Sequence, residues 1–304
     1  MNDQQSVGGI PGWQQAFLRQ QGLAAAYLRE AQSWFDPLAT SLAALCTQAD
    51  KPLLIAVNGC QGSGKSTLCA YLAGHLLAQH GLRVLALSLD DFYLTRARRA
   101  ELAVAVHPLL ATRGVPGTHD MGLLDDTLAA LLSRSRPGSV AVPRFDKAKD
   151  DRRPRAEWDT VTGALDLVLL EGWCLGARPQ SPAQLDPPVN ELERHEDPHA
   201  TWRAYVNDVL ATDFPPLYER VDAWVMLQAP AFGSVFRWRL EQERKLARST
   251  PGRAAGVMDA DQVARFIQHY QRLTEHCLAT LPGAVDYLYR LDEQRRITAS
   301  RSPP

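Results

Sequence analysis

The sequence predicts a three-layer α/β fold with a central, mostly parallel sheet, preceded by an N-terminal helical extension. Continuous apolar runs such as residues 53–57 and 165–170 suit strands that are covered on both faces. Segments with helical spacing of apolar residues alternate with these runs, as in parallel α/β proteins. Apolar residues make up 45% of the 304 residues and charged residues 22%, so we expect a sizeable core rather than disorder.

The elements are predicted in order along the chain. Residues 13–48 read as two helices split near Trp34 and Pro37, so we assign 1–48 to the extension and 49–304 to the main domain. Strands are predicted at 53–57, 84–89, 139–143, 165–170, 223–227 and 285–291. Helices are predicted at 65–79, 121–134, 199–211, 231–248 and 259–280, the last with Asp259 as N-cap. Residues 177–198, rich in Pro and Asp, are predicted to be an irregular insertion.

Bulk composition narrows the class of function. The formal net charge is −1, whereas proteins that coat nucleic acid are usually basic, so we expect no nucleic-acid partner. The five cysteines include no CxxC pair, which argues against a disulfide framework or a zinc knuckle. We see neither a signal peptide nor an apolar run long enough to span a bilayer, and therefore expect a cytoplasmic protein without a membrane partner.

A glycine-rich segment after the first predicted strand fits GxxxxGK[ST] in full. Its glycines let backbone N–H groups turn inward around phosphates, and the helix that follows favours negative charge at its N-terminus. Lys65 is predicted to reach the β- and γ-phosphates, and the Ser66 hydroxyl to ligate Mg²⁺. We therefore predict a P-loop NTPase fold, with these ATP-binding residues: Gly59, Cys60, Gln61, Gly62, Ser63, Gly64, Lys65, Ser66 and Thr67.

Two carboxylates end predicted strands beside this loop. Asp90 follows the second strand, where it is predicted to orient a substrate hydroxyl and accept its proton; the alternative is a turn or cap aspartate. Glu171 ends the strand at 165–170, in a position typical of an acid near Mg²⁺. We predict Asp90, Lys65 and Glu171 as catalytic residues, and Ser66, Asp90 and Glu171 as the metal site.

Five segments carry a resemblance to a known family: GCQGSGKST (59–67), SLDDFYLT (88–95), RGVPGTHD (113–120), PRFDK (143–147) and LLEGWCLG (169–176). In this order they resemble the phosphoribulokinase, uridine kinase and pantothenate kinase group, and most closely the D-glycerate 3-kinase family. The resemblance covers about residues 50–290. It implies ATP-dependent phosphorylation of a small hydroxylated acid, D-glycerate above all, with Asp90 as base and Glu171 at the Mg²⁺ site.

A site for such an acid needs a cation for the carboxylate and hydrogen-bonding groups for the hydroxyls. Taken alone, Arg113 would read as a surface charge and His119 as a structural histidine; with the resemblance, both become candidates for the acceptor site. The predicted substrate-binding residues are Asp90, Tyr93, Arg113, His119, Asp120, Arg144, Asp146, Lys147 and Arg152.

A run of basic residues lies on the predicted helix 231–248. It reads either as a solvated face paired with Glu241 and Glu243, or as a lid near 231–250 that closes over the γ-phosphate. In the second interpretation, Arg237 and Arg239 bind ATP.

Three other functions stay open. The same chemistry could act on a uridine- or pantothenate-like acceptor. A regulatory NTPase is a second alternative, although the [NT]KxD signature of GTP-specific switches is not met at Ala148–Asp151. A nucleotide-binding regulator without catalysis is the third, and the intact Lys65, Ser66, Asp90 and Glu171 argue against it.

Overall fold

The computed structural model describes residues 10–133, 138–249 and 258–303, and a six-stranded sheet crosses their centre. Within these residues the strands are β1 (Leu53–Gly59), β2 (Val84–Ser88), β3 (Ser139–Val142), β4 (Phe145–Asp146), β5 (Asp151–Arg152), β6 (Asp159–Thr162), β7 (Leu167–Gly172), β8 (Ala223–Gln228), β9 (Tyr287–Leu291) and β10 (Ile297–Arg301). The main sheet has the order β10-β9-β8-β1-β7-β2. Neighbouring strands from β9 to β2 are parallel, and β10 is antiparallel to β9. Two small antiparallel pairs, β3 with β6 and β4 with β5, lie outside it.

Helices flank this sheet on both faces. They are α1 (Gly12–Gln21), α2 (Tyr27–Gln48), α3 (Lys65–His80), α4 (Arg96–Ala105), α5 (Met121–Leu131), α6 (Pro182–Leu185), α7 (Glu191–Glu196), α8 (Thr201–Thr212), α9 (Pro215–Tyr218), α10 (Phe232–Ser249) and α11 (Ala260–Thr280). A short 3-10 turn, Leu89–Phe92, follows β2 directly. Asp259 caps α11 as predicted, by accepting a hydrogen bond from the backbone N–H of Gln262.

The central strand β1 supplies two separate cores, because its alternate side chains point to opposite faces of the sheet. Leu54 and Ala56 pack with α5, α8 and α11. Ile55 and Val57 pack with α2, α3 and α10. Every residue of β1 is buried, as the continuous apolar run predicts. The predicted fold class, a three-layer α/β fold with a mostly parallel sheet, is confirmed.

The predicted break between the N-terminal helices is wrong. The chain breaks at Gly22, which takes a left-handed conformation with φ of 62° and ends α1, while Pro37 lies inside α2. A proline costs a helix one backbone hydrogen bond. Here Phe35 and Leu38, buried on the same side of α2 as Leu42, hold the helix together through packing. The division at residue 48 stays a prediction, although α2 shares its core with α3.

The insertion at 177–198 is more regular than predicted, because it contains α6 and α7. The fully buried Glu193 of α7 accepts two hydrogen bonds from Arg272 of α11, at 2.6 and 2.8 Å, and this pair fastens the insertion to the domain. The sequence reading also missed α4 and β10.

No helix among the described residues is long and apolar enough to cross a membrane. Residue 134 of the predicted helix 121–134 and residue 250 of the predicted lid lie outside the described residues, as do the side chains of Arg244, Lys245 and Arg248.

Candidate active site

The phosphate loop connects β1 to α3 at the carboxyl edge of the sheet. Gly62 and Gly64 have φ of 80° and 97°, which side chains other than glycine rarely adopt. A Cβ at Gly59 would approach Ser63 Oγ to 2.6 Å, so the loop folds tightly on itself. No side chain caps α3, which leaves its first backbone N–H groups directed at an incoming anion. The loop therefore has the geometry that phosphate binding requires.

Lys65, Ser66 and Glu171 meet beside this loop. Glu171 is the penultimate residue of β7 and pairs with Val57 of β1 and Ser88 of β2. The Ser66 hydroxyl donates to Glu171 Oε1 at 2.8 Å, and Lys65 Nζ lies 3.7 Å from Oε2. The Ser66 hydroxyl and the Glu171 carboxylate are oxygen ligands of the kind that Mg²⁺ takes. Mg²⁺ needs only one or two protein ligands, because phosphates and waters supply the rest. Ser66 and Glu171 can therefore hold such an ion.

Asp90 lies at the same edge, on the 3-10 turn after β2. Its Oδ1 accepts a hydrogen bond from the Tyr93 hydroxyl at 2.9 Å, and its Oδ2 accepts one from Lys147 Nζ at 2.6 Å. Burial raises the pKa of Asp90, but Lys147, Tyr93 and Lys65 together outweigh burial and hold the pKa well below its usual range. Asp90 is therefore ionised at neutral pH and lies within electrostatic range of Lys65 in the phosphate loop.

The neighbouring Asp91 has a different task. It accepts hydrogen bonds from the backbone N–H of Phe145 at 3.1 Å and from Arg144 at 2.6 Å. These contacts attach the β4–β5 hairpin to the turn that carries Asp90. The hairpin in turn places Lys147 over the carboxylate.

The other predicted cations of the acceptor site each have a structural carboxylate partner. Arg144 pairs with Asp91 and Asp159, and Arg152 pairs with Asp120 at 2.9 Å. Arg113 pairs with Asp150 and lies over the Phe145 ring. The Arg113–Asp150 and Arg152–Asp120 pairs join the hairpin to the loop 113–120. The binding roles of Arg113, Arg144 and Arg152 stay predictions.

Two of the predicted hydroxyl acceptors also serve the backbone. Asp146 accepts from the N–H groups of Ala148 and Lys149, which shapes the hairpin turn. Asp120 caps α5 by accepting from the N–H of Leu123 at 3.1 Å, in addition to its pair with Arg152. Their remaining lone pairs stay available, and their binding roles stay predictions.

His119 is buried and stacks on Tyr93, with ring centroids 4.5 Å apart. Neither ring nitrogen has a hydrogen-bond partner among the described residues. Burial lowers the pKa of His119 to about 4, so the ring is neutral near pH 7. Both ring nitrogens are buried, and the binding role of His119 stays a prediction.

The two predicted lid arginines diverge along α10. Arg237 turns to the surface, where it pairs with Glu293 at 2.9 Å. Arg239 pairs with Glu243 and lies over the Phe266 ring of α11, 5.4 Å from its centroid. The exposed Arg237–Glu293 pair fits the solvated-face interpretation, whereas Glu243 is buried, and the lid stays a prediction.

Sequence reasoning missed the side chains that shape the loop 113–120. The Tyr270 hydroxyl of α11 donates to the Arg113 carbonyl at 3.0 Å, and Trp173 Nε1 donates to the Gly114 carbonyl at 3.0 Å. Gly114 has φ of 145° and lies directly against the Tyr270 ring. The glycines of RGVPGTHD were the available signal, since glycine often marks a close approach of backbone to a side chain.

Replacing Gly114 with alanine should destabilise the protein. The added Cβ would overlap the Tyr270 hydroxyl, and φ of 145° is unfavourable for alanine. We expect the free energy of unfolding to fall by about 2 to 4 kcal/mol, combining backbone strain and overpacking. Urea denaturation measures this. Gly283→Ala is the matched control, because that glycine is exposed with open space around it; equal stability of the two variants would contradict the assigned packing.

Comparison with known proteins finds kinases among the relatives of this chain. No protein-family model matches the chain. It is 34% identical over 244 residues to "Uncharacterized kinase mug58" of Schizosaccharomyces pombe, covering 77% of this chain and 84% of that protein. It is 33% identical over 242 residues to the chloroplastic D-glycerate 3-kinase of Arabidopsis thaliana, covering 76% of this chain but 48% of that protein, so the chain spans about half of that relative.

A solved structure is similar over nearly the whole chain. It is a D-glycerate 3-kinase from Cryptococcus neoformans var. grubii, with a TM-score of 0.73 and 27% sequence identity. The match covers 92% of this chain and 100% of that one.

Proposed function

The chain belongs to the family of P-loop kinases that includes D-glycerate 3-kinase, and we propose that it transfers the γ-phosphoryl group of ATP to the 3-hydroxyl of D-glycerate. The products are 3-phosphoglycerate and ADP. The observation that carries the proposal is the position of Asp90, which lies at the same sheet edge as the phosphate loop and within hydrogen-bonding distance of Lys147. A hydroxyl-activating carboxylate beside a cation suits an acceptor that is both an alcohol and an acid.

In the proposed mechanism the phosphate loop and Lys65 hold the phosphates of ATP. The acceptor hydroxyl gives its proton to Asp90 as its oxygen bonds to the γ-phosphorus. The bond from the γ-phosphorus to the bridging oxygen breaks, and ADP leaves. We propose that Ser66 and Glu171 hold Mg²⁺, which when bound would neutralise charge on the β- and γ-phosphates.

A panel of acceptors tests the substrate. ADP release is measured with ATP, Mg²⁺ and, in turn, D-glycerate, uridine, pantothenate or ribulose 5-phosphate. We expect strong stimulation by D-glycerate alone, and ³¹P spectroscopy should identify 3-phosphoglycerate. The Lys65→Ala variant is the control for a contaminating kinase.

The other outcomes of this panel have distinct meanings. Robust turnover of another acceptor would replace glycerate while keeping the kinase assignment. ADP release that no acceptor changes would favour a regulatory NTPase, the alternative that the sequence left open.

We also propose that the protein works in the cytoplasm on small molecules, without nucleic-acid or membrane partners. All five cysteines are free thiols, as is usual in reducing compartments. The formal net charge of −1 does not favour a nucleic-acid partner, since proteins that coat nucleic acid are usually basic. Fractionation of cells that express the tagged full-length chain tests the location.

A further inference from the structure

Lys147 occupies one of the two carboxylate oxygens of Asp90. Lys147 begins the turn 147–150 between β4 and β5. Its Nζ lies 2.6 Å from Asp90 Oδ2, while the Tyr93 hydroxyl holds Oδ1. The Lys147 side chain is 62% exposed and that of Asp90 is 27% exposed, so the ammonium covers the carboxylate from the solvent side. An acceptor that approaches Asp90 meets Lys147 first.

Lys147 differs from the other predicted cations of this site. Arg113, Arg144 and Arg152 pair with aspartates that join loops to one another. The carboxylate that pairs with Lys147 is Asp90 itself. A lysine carries a point charge on a flexible four-carbon stem, so its ammonium can change partner with little rearrangement of the hairpin.

This pairing has a chemical consequence for Asp90. A carboxylate held by an ammonium is a weak base, since the positive charge favours its ionised form. The same ammonium lowers the pKa of Asp90 and so reduces its capacity to take a hydroxyl proton. A group that withdrew Lys147 would restore both the basicity of Asp90 and the free position at Oδ2.

We propose that the carboxylate of the acceptor is that group, which makes Lys147 a positioning and specificity-determining residue. On binding, the acceptor carboxylate takes the Lys147 ammonium from Asp90, and the hydroxyl of the same molecule occupies Oδ2. Neutral polyols lack the carboxylate and leave the base covered. This inference rests on the proposed function and explains how the site would select hydroxy acids over alcohols.

The test is Lys147→Met, assayed with D-glycerate and with glycerol as the neutral analogue. We expect KM for glycerate to rise about tenfold or more, the usual loss for a charged hydrogen bond. The preference for glycerate over glycerol should fall by a similar factor. The kcat/KM for glycerol should rise severalfold, because removing the ammonium frees Asp90 Oδ2 without the need for an acceptor carboxylate. Lys147→Arg, which keeps a cation at this position, should retain the preference for glycerate.

Lys149→Met is the matched control, since Lys149 lies on the same turn, is 79% exposed and pairs with Asp146 at 3.9 Å. It should behave as wild type. Turnover of glycerol that does not rise in Lys147→Met would overturn the inference even if KM for glycerate rises, because a lysine that only binds the acceptor carboxylate would leave glycerol unaffected. Failure of the proposed function looks different: the wild-type protein itself would show no glycerate-dependent release of ADP.

Discussion

Replacing Lys65 with alanine is expected to lower kcat for phosphoryl transfer by at least about a hundredfold, the usual loss when one preorganised charge is removed from a transition state. Lys65 is held in place on both sides: its Nζ donates to the Cys60 carbonyl at 3.2 Å and lies 3.7 Å from Glu171. Its side chain is 11% exposed, so the ammonium acts where water screens charge poorly. Steady-state release of ADP with saturating glycerate measures the effect.

Lys51→Ala is the control for this variant. Lys51 precedes β1 and so lies at the opposite edge of the sheet, where it pairs with Asp222 at 2.8 Å and is 53% exposed. An exposed ion pair of this kind contributes little to stability, and we expect normal kinetics. Unchanged turnover in Lys65→Ala would exclude a catalytic role for the glycine-rich loop, whatever the shape of that loop.

The parts of the site that the sequence predicted are the local ones. The loop 59–67 sets its own backbone through Gly62 and Gly64, and strand ends place Glu171 and Asp90 at one edge because parallel strands share a direction. The strand order of the sheet depends on contacts between distant segments and could not be read in advance. Neither could the partners of Arg113, Arg144 and Arg152, since each carboxylate lies on a different element.

The sequence predictions that the structure contradicts, and the elements they missed, have separate physical causes. The sequence predicts a helix break near Pro37, but packing of the apolar face of α2 outweighs the loss of the hydrogen bond that proline cannot make. Helix α4 was missed because its charged sequence, RARRAELAVA, shows little apolar periodicity; Thr95, which accepts from the N–H of Arg98, was the available cap signal. Tyr270 of α11 packs in the apolar core, and its hydroxyl also positions the loop of Arg113, a contact that no sequence pattern indicates.

Asp90→Asn should reduce kcat by at least about a hundredfold, the lower range for loss of a general base, with little change in the dissociation constant of ATP. The amide has the shape of the carboxylate and can still accept from the Tyr93 hydroxyl, so the turn Leu89–Phe92 is retained. It cannot take a proton. Calorimetric titration with ATP and steady-state kinetics with glycerate separate binding from chemistry. Asp125→Asn is the control, because Asp125 is exposed and pairs with Arg220 at 2.8 Å.

The same variant separates the roles predicted for Asp90. If Asp90 accepts the hydroxyl proton, kcat falls while the Mg²⁺ concentration for half-maximal activity stays as in the wild type. If Asp90 binds the metal, that concentration rises, since Mg²⁺ relies on few protein carboxylates. The pairing of Asp90 with Lys147 and Tyr93, rather than with Ser66 and Glu171, favours the first result. Near-normal turnover would exclude both roles and leave the chemistry to positioning by the phosphate loop alone.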